Sequence, residues 1–155
     1  MSSTGIPYWI DSLGTGIEEI DAQHRVLLAT LSEVEAEAGT DSSHARLAQI
    51  TRDLLAYAIY HFETEERLFV ESGYDLAESA VAAAHIAEHR GFSQRVLRMR
   101  AADAEGHQLD AGELLSFLRS WLLNHIATVD QDFGRFVIAR EQRRAASAGR
   151  GTPVP

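Results

Sequence analysis

Apolar side chains recur at steps of three and four residues along most of the chain, which is the spacing of one buried face of an α-helix. The recurrence breaks at three places, so it divides into four stripes. The first two stripes are Ile17, Ile20, His24, Leu27, Leu31 and Val34, and then Leu47, Ile50, Leu54, Ala58, His61, Glu65 and Leu68. The last two are Ala82, His85, His89, Phe92, Val96 and Met99, and then Leu114, Leu118, Trp121, Leu122, His125, Ile126, Val129, Asp130, Phe133, Phe136 and Val137. The pattern predicts four amphipathic helices.

The breaks between the stripes contain residues that commonly end or begin helices. These are Gly39 followed by Asp41, Ser42 and Ser43, then Gly73, Tyr74 and Asp75, then Glu105 and Gly106, and finally Asp110 with Glu113, which resembles a capping box. Because the connections are short, successive helices must run antiparallel, and the expected fold is an all-α, up-down-up-down four-helix bundle. The expected domain is residues 1–144, including an N-terminal arm of about residues 1–16. Residues 145–155 are small and polar and are predicted to form a flexible tail.

Composition agrees with a single globular domain and excludes several functions. The chain has 155 residues, of which 45% are hydrophobic and 24% charged. Its formal net charge of −9 argues against a nucleic-acid partner, since such binding depends on clustered positive charge. The sequence shows neither a signal peptide nor a run of about 18 apolar residues, so we expect a soluble, cytoplasmic protein without membrane contact. Because cysteine is absent, a bound metal would need His, Asp or Glu ligands.

Seven ionisable residues occupy stripe positions, where buried apolar side chains are expected. They are His24, His61, Glu65, His85, His89, His125 and Asp130. Burying one polar group without a partner costs about 1–3 kcal/mol, and a whole domain is stable by only about 5–15 kcal/mol. A dimetal centre removes the difficulty, because the imidazoles and carboxylates become ligands and the cations balance the carboxylate charge.

The spacing of these residues supports a shared site. His61 and Glu65 are four residues apart, as are His85 and His89, so each pair lies on one helix face. Taken singly, each feature has a simpler explanation: a lone His24 is more often a hydrogen-bonded core histidine, and histidine pairs at this spacing arise by chance. Their joint occurrence on four consecutive stripes favours a metal site.

His125 and Asp130 have less regular spacing, because five residues correspond to about 140° around an ideal helix. They would lie at opposite edges of a broad inward face, unless a local π-bulge brought them closer. The two other histidines, His44 and His107, lie off the stripes and are predicted to be surface residues.

The same residues resemble the signature of the hemerythrin family over about residues 6–137. The resemblance is carried by Trp9, Gly16, the IDxQH element from Ile20 to His24, the HFxxEE element from His61 to Glu66, the HxxxH element from His85 to His89, and Trp121, Leu122, His125, Ile126 and Asp130. It implies two non-heme iron ions with an oxo or hydroxo bridge. One iron would take His85, His89 and His125 and the other His24 and His61, with Glu65 and Asp130 bridging both. Phe69 and Asp75 depart from the residues common in bacterial members, Met and Pro, and neither is a ligand position.

The resemblance also implies a function. Counting ligands leaves one coordination position open, on the iron with two histidines, and dioxygen would bind there. The expected protein is therefore a reversible dioxygen binder for storage, delivery or sensing, and not an enzyme. The alternatives are a diiron oxidase or a peroxide or nitric-oxide reductase, and an oxygen-responsive signalling module read by a separate partner. Phe62, Phe69, Trp121 and Ile126 are expected to be core residues that also keep the pocket dry.

Overall fold

The computed structural model describes residues 8–38, 44–107 and 109–149. Within these residues a 3-10 helix (Asp11–Leu13) is followed by six α-helices and no strand. The helices are α1 (Glu18–Ala38), α2 (His44–Ser72), α3 (Tyr74–Ala77), α4 (Ser79–Ala104), α5 (Ala111–Ala127) and α6 (Val129–Ala148). The predicted all-α class is confirmed. None of the helices in the described ranges is long and apolar enough to span a membrane.

The first three predicted helices correspond to α1, α2 and α4, and the fourth is divided between α5 and α6. The short helix α3 occupies the second predicted break, directly after Gly73, whose φ of +77° favours glycine. The predicted cap of α5 is present, since the Glu113 amide donates to the Asp110 carboxylate at 2.8 Å. The predicted stop at Gly39 and the caps at residues 41–43 lie outside the described residues.

Helix α6 continues to Ala148, so residues 145–148, which were expected to belong to the flexible tail, are helical. These residues include three alanines, and alanine has the highest intrinsic helix propensity. Residues 150–155 of the expected tail lie outside the described residues.

Contacts between the helices establish their directions. From the start of α1 onward, Glu19, Gln23 and His24 contact Arg67, Thr64 and His61 of α2, in falling order of residue number. The same reversal relates α4 to α5, where His85, Phe92 and Arg95 contact His125, Trp121 and Glu113. Helix α1 packs against α2 and α5, and α2 also packs against α4. The up-down-up-down bundle is therefore confirmed.

The core consists of two apolar clusters separated by a polar layer. The larger cluster includes Leu27, Leu28, Leu54, Phe62, Phe92, Leu118 and Ile126. The smaller cluster consists of Ile20, Phe69, Tyr74, Ala82 and Phe133. In α1, α2 and α4 the predicted ligand positions lie between residues of the two clusters; in α1, His24 lies between Ile20 and Leu27. The bundle thus positions the polar side chains in a layer with apolar packing on both sides.

The N-terminal arm is fixed to the bundle near this layer. The Asp21 carboxylate accepts hydrogen bonds from the amide and the hydroxyl of Thr15, both at 2.8 Å. The Gln131 side chain donates to the Leu13 carbonyl at 2.8 Å. The arm approaches α6 so closely that a Cβ at Gly134 would lie 2.5 Å from the Thr15 carbonyl oxygen. Gly134 is one helical turn beyond Asp130, so the arm packs beside the part of α6 that carries this carboxylate.

Candidate metal centre

The seven predicted side chains converge in the polar layer, and none of them is more than 2% exposed. They form two groups whose ligand atoms lie within 4.8 Å of one another. The first group is Glu65, His85, His89, His125 and Asp130, and the second is His24, His61, Glu65 and Asp130. Both carboxylates belong to both groups. The histidines predicted at the surface, His44 and His107, are exposed, as expected.

The Glu65 carboxylate lies between the two groups, and each oxygen faces one of them. Its Oε1 is 3.3 Å from His61 Nε2 and 3.7 Å from His24 Nε2. Its Oε2 is 2.9 Å from His89 Nε2 and 3.3 Å from His85 Nε2. A carboxylate in this orientation can bridge two metal ions.

The Asp130 carboxylate is oriented in the same way from α6. Its Oδ2 is 2.9 Å from His24 Nε2. Its Oδ1 is 2.9 Å from His85 Nε2 and 3.1 Å from His125 Nε2. Each of the two carboxylates therefore lies between a group with three imidazoles and a group with two, with one oxygen facing each group.

A one-residue helix interruption at Thr128 lies between His125 and Asp130, the pair with the irregular spacing in the sequence. Thr128 has φ −122° and ψ −68°, so α5 ends before it and α6 begins after it. Its hydroxyl donates to the Asn124 carbonyl at 2.7 Å. The irregular residue lies between His125 and Asp130, so the 140° separation of a continuous helix does not apply to this pair, and His125 Nε2 lies 3.1 Å from Asp130 Oδ1.

The ligand atoms of the two groups are better arranged to bind metal ions than to form hydrogen bonds with one another. Among the described residues, both oxygens of Glu65, both oxygens of Asp130, and the Nε2 atoms of His24 and His89 are buried without a hydrogen bond of acceptable geometry. Buried polar atoms are rarely left in this state. Imidazole nitrogens with carboxylate oxygens are ligands typical of divalent first-row metals such as iron. The residues therefore fit a pair of such ions.

The electrostatics of the cluster are also those of a cation site. Burial lowers the pKa of His24, but the close approach and negative charge of the Asp130 and Glu65 carboxylates outweigh burial and raise this pKa to about 9. The same balance raises the pKa of His85 to about 9. Burial raises the pKa of Glu65, and the facing histidines nevertheless hold it well below its usual range; the pKa of Asp130 is lowered in the same way. Two buried, ionised carboxylates thus require positive charge beside them, from protons or from metal ions.

The ring of His61 is oriented by a hydrogen-bonded chain. The Thr64 hydroxyl donates to the Tyr60 carbonyl at 3.1 Å, so it accepts from the Gln23 amide nitrogen, also at 3.1 Å. The Gln23 oxygen then lies 2.7 Å from His61 Nδ1. Because an amide oxygen can only accept, Nδ1 carries the proton and Nε2 is left free to bind metal.

Two histidines of the other group have carboxylate partners. His125 Nδ1 lies 2.7 Å from Glu88 Oε2, and His89 Nδ1 lies 3.2 Å from Glu66 Oε1. Gln23 and Glu66 lie in the hemerythrin-like signature, where no role was predicted for them, and no part of the signature indicates Glu88. Glu88 lies beside His89 in the chain, but its contact with α5 depends on tertiary packing, which periodicity does not reveal.

Aromatic rings form the walls of the site; Phe62 and Phe69 are buried, as expected for core residues, whereas Trp121 is only partly buried. Phe62 stacks on His89 with centroids 4.0 Å apart, and Trp121 stacks on His125 at 4.4 Å. Phe69 lies 4.8 Å from the His85 ring. These rings restrict the rotation of the imidazoles and reduce the access of water to the polar layer.

Comparison with known proteins identifies similar sequences and a similar structure. A family model described as the hemerythrin HHE cation binding domain matches residues 15–137. A bacteriohemerythrin from Stenotrophomonas maltophilia is 32% identical over 148 residues, which are 92% of each chain. A bacteriohemerythrin from Pseudomonas aeruginosa is 32% identical over 125 residues, covering 81% of this chain and 77% of the relative. A crystal structure of wild-type hemerythrin superimposes with a TM-score of 0.76 at 25% identity, covering 86% of this chain and 98% of that one.

Proposed function

This chain belongs to the hemerythrin family, and on that premise we propose that it holds two non-heme iron ions and binds dioxygen reversibly, for storage, delivery or sensing. The family binds non-heme iron. The proposed ligands are His85, His89 and His125 for one ion, His24 and His61 for the other, and Glu65 and Asp130 for both.

The observation that carries this proposal is the unequal number of imidazoles in two groups that share both carboxylates. If both ions have the same coordination number, the ion with two histidines retains a position for an external ligand. A metal ion with an open position is the arrangement found in sites that bind substrates or gases, whereas a closed ligand set is typical of structural sites.

The surroundings favour a small, uncharged ligand. The ligand side chains are almost completely buried, and apolar clusters lie on both sides of the polar layer. When bound, ferrous iron supplies the electrons that dioxygen binding requires. The chain itself orients the imidazoles through Gln23, Glu66 and Glu88 and excludes water with Phe62 and Trp121. Exclusion of water is expected to favour the release of intact dioxygen over irreversible oxidation.

The test is a repeated oxygen cycle on protein loaded anaerobically with ferrous iron. Admission of air should produce a visible charge-transfer band, removal of oxygen should abolish it, and the cycle should repeat. His61→Leu should lose the response, because it removes one of the two histidines of the second group. The matched control is His107→Leu, which alters an exposed histidine outside both groups and should cycle normally.

Two outcomes would contradict reversible binding. The first is complete conversion to a plain diferric spectrum on the first exposure to air, with no recovery when oxygen is removed. The second is turnover of peroxide or nitric oxide well above that of free iron, which would support the enzymatic alternative.

A further inference from the structure

Three of the five metal-facing histidines have an Nδ1 partner, and the charge of that partner differs between the two groups; the Nδ1 atoms of His24 and His85 have no hydrogen-bond partner among the described residues. In the three-histidine group, His125 contacts Glu88 at 2.7 Å and His89 contacts Glu66 at 3.2 Å. In the two-histidine group, His61 contacts the neutral amide of Gln23 at 2.7 Å. The contact distances are similar on the two sides, so the difference between these Nδ1 partners is the negative charge behind the three-histidine group.

Glu66 and Glu88 cannot replace the bridging carboxylates as ligands. Each contacts the ring nitrogen on the side away from the cluster, and neither belongs to the two groups of converging ligand atoms. Their side chains are 37% and 45% exposed, whereas those of Glu65 and Asp130 are fully buried. They therefore act on a bound metal only through the imidazoles of His89 and His125.

A carboxylate that accepts a hydrogen bond from an imidazole increases the electron density on the opposite ring nitrogen. That nitrogen then binds metal more strongly, and it stabilises the more highly charged oxidation state. An amide oxygen also orients the ring, but it adds no net charge. Both groups therefore contain an imidazole ring oriented by a hydrogen bond, but only the three-histidine group has negative charge behind its rings.

We propose that Glu66 and Glu88 are positioning residues that increase the difference already created by the unequal number of histidines, so that the three-histidine position binds metal still more tightly and is more easily oxidised. The two-histidine position, supported by Gln23, remains the weaker and more electron-poor one. This inference rests on the dimetal site proposed above, but it does not require that dioxygen binds.

The first test is a Zn²⁺ titration of the metal-free protein in competition with a chromophoric chelator. His85→Ala and His61→Ala assign the binding steps to the two positions. Glu88→Gln keeps a hydrogen-bond acceptor and removes the charge, and it should weaken the three-histidine step by about tenfold while leaving the other step unchanged. Gln23→Glu adds a carboxylate behind His61 and should strengthen the two-histidine step. Glu63→Gln is the matched control, since Glu63 is exposed on α2 and belongs to neither group of converging ligand atoms.

The second test is spectroelectrochemistry of the iron-loaded protein. Glu88→Gln and Glu66→Gln should shift the reduction potential in the positive direction, and Gln23→Glu should shift it in the negative direction. A merely structural role for these residues would not produce shifts of opposite sign.

Three results would overturn the inference. The first is that Glu88→Gln changes neither Zn²⁺ binding step by more than about twofold. The second is that it weakens both Zn²⁺ binding steps equally. The third is that it behaves as the unaltered protein while Glu88→Ala alone loses affinity, which would assign the effect to the hydrogen bond and not to charge. Failure of the proposed oxygen binding would be separately visible, as loss of oxygen cycling with both Zn²⁺ steps intact.

Discussion

At the scale of single residues, Glu65 and Asp130 determine whether the site can hold two ions or one. Each directs one oxygen toward each histidine group, so removing either carboxylate affects both positions at once. A histidine, in contrast, belongs to only one group. The two kinds of residue should therefore give different metal stoichiometries when they are replaced.

Glu65→Gln should reduce bound metal from two ions to one or none per chain. The amide is neutral, and only one of its two polar atoms can accept or ligate, so it cannot bridge. Elemental analysis of the reconstituted, desalted protein measures the ratio, with Glu63→Gln as the control. A Glu65→Gln protein that retains two ions would show that this carboxylate does not bridge.

Metal binding should release protons and should strengthen as pH rises. In the absence of metal the pKa values of His24 and His85 are raised from 6.5 to about 9, so both rings are protonated at neutral pH. A metal ion must displace those protons. As the pH rises toward about 9, fewer rings are protonated, so protons compete less with the metal for the ring nitrogens. Proton release during Zn²⁺ addition in weakly buffered solution measures the effect. A Zn²⁺ affinity that stays constant from about pH 7 to about pH 9 would contradict this expectation.

At the scale of helices, much of the arrangement could be predicted from the sequence, because burial imposes periodicity. The stripes located the long helices, and the polar residues on the stripes identified all seven converging side chains. Three features followed from other forces. The break at Thr128 is a single irregular residue inside a continuous apolar stripe, α3 is a single turn too short for a periodic signal, and the Glu88 contact joins separate helices.

The junction between the N-terminal arm and α6 should be sensitive to one methyl group. Gly134→Ala would place a Cβ 2.5 Å from the Thr15 carbonyl oxygen, so the arm must shift, and we expect destabilisation of about 1–3 kcal/mol. Chemical denaturation measures the free energy of unfolding. Gly91→Ala, in α4, is the matched control, since a Cβ at Gly91 would have no neighbour within 4 Å apart from the backbone of its own helix. This substitution should stabilise the protein by about 0.5–1 kcal/mol. Equal effects of the two substitutions would show that the arm does not pack as described.

At the scale of the whole molecule, the two apolar clusters are joined through the polar layer. Without metal, this layer holds two ionised carboxylates and several buried groups without hydrogen bonds. Metal ions would replace these costs with ligand bonds made simultaneously from α1, α2, α4, α5 and α6. Metal binding should therefore stabilise the entire bundle and not only the site.

Removal of metal should lower the melting temperature of the protein. An ion present at about 100 times its dissociation constant contributes about 2.7 kcal/mol, which corresponds to about 5–10 °C for a domain of this size. Thermal unfolding after chelation and after readdition of Fe²⁺ measures the change. Mg²⁺ is the control ion, because it prefers oxygen ligands and should not restore stability. An unchanged melting temperature after verified metal removal would contradict the coupling.

The interruption at Thr128 has a consequence for protein engineering. Idealised helical bundles are built from straight, uninterrupted helices, and a straight helix would direct the side chains at positions 125 and 130 about 140° apart. If the seven ligand residues were transplanted onto such a scaffold, the carboxylate that corresponds to Asp130 would not reach the metal ions. A designer would need to build the irregular residue first and choose the ligands afterwards, because here a local defect in the backbone determines which side chains can meet.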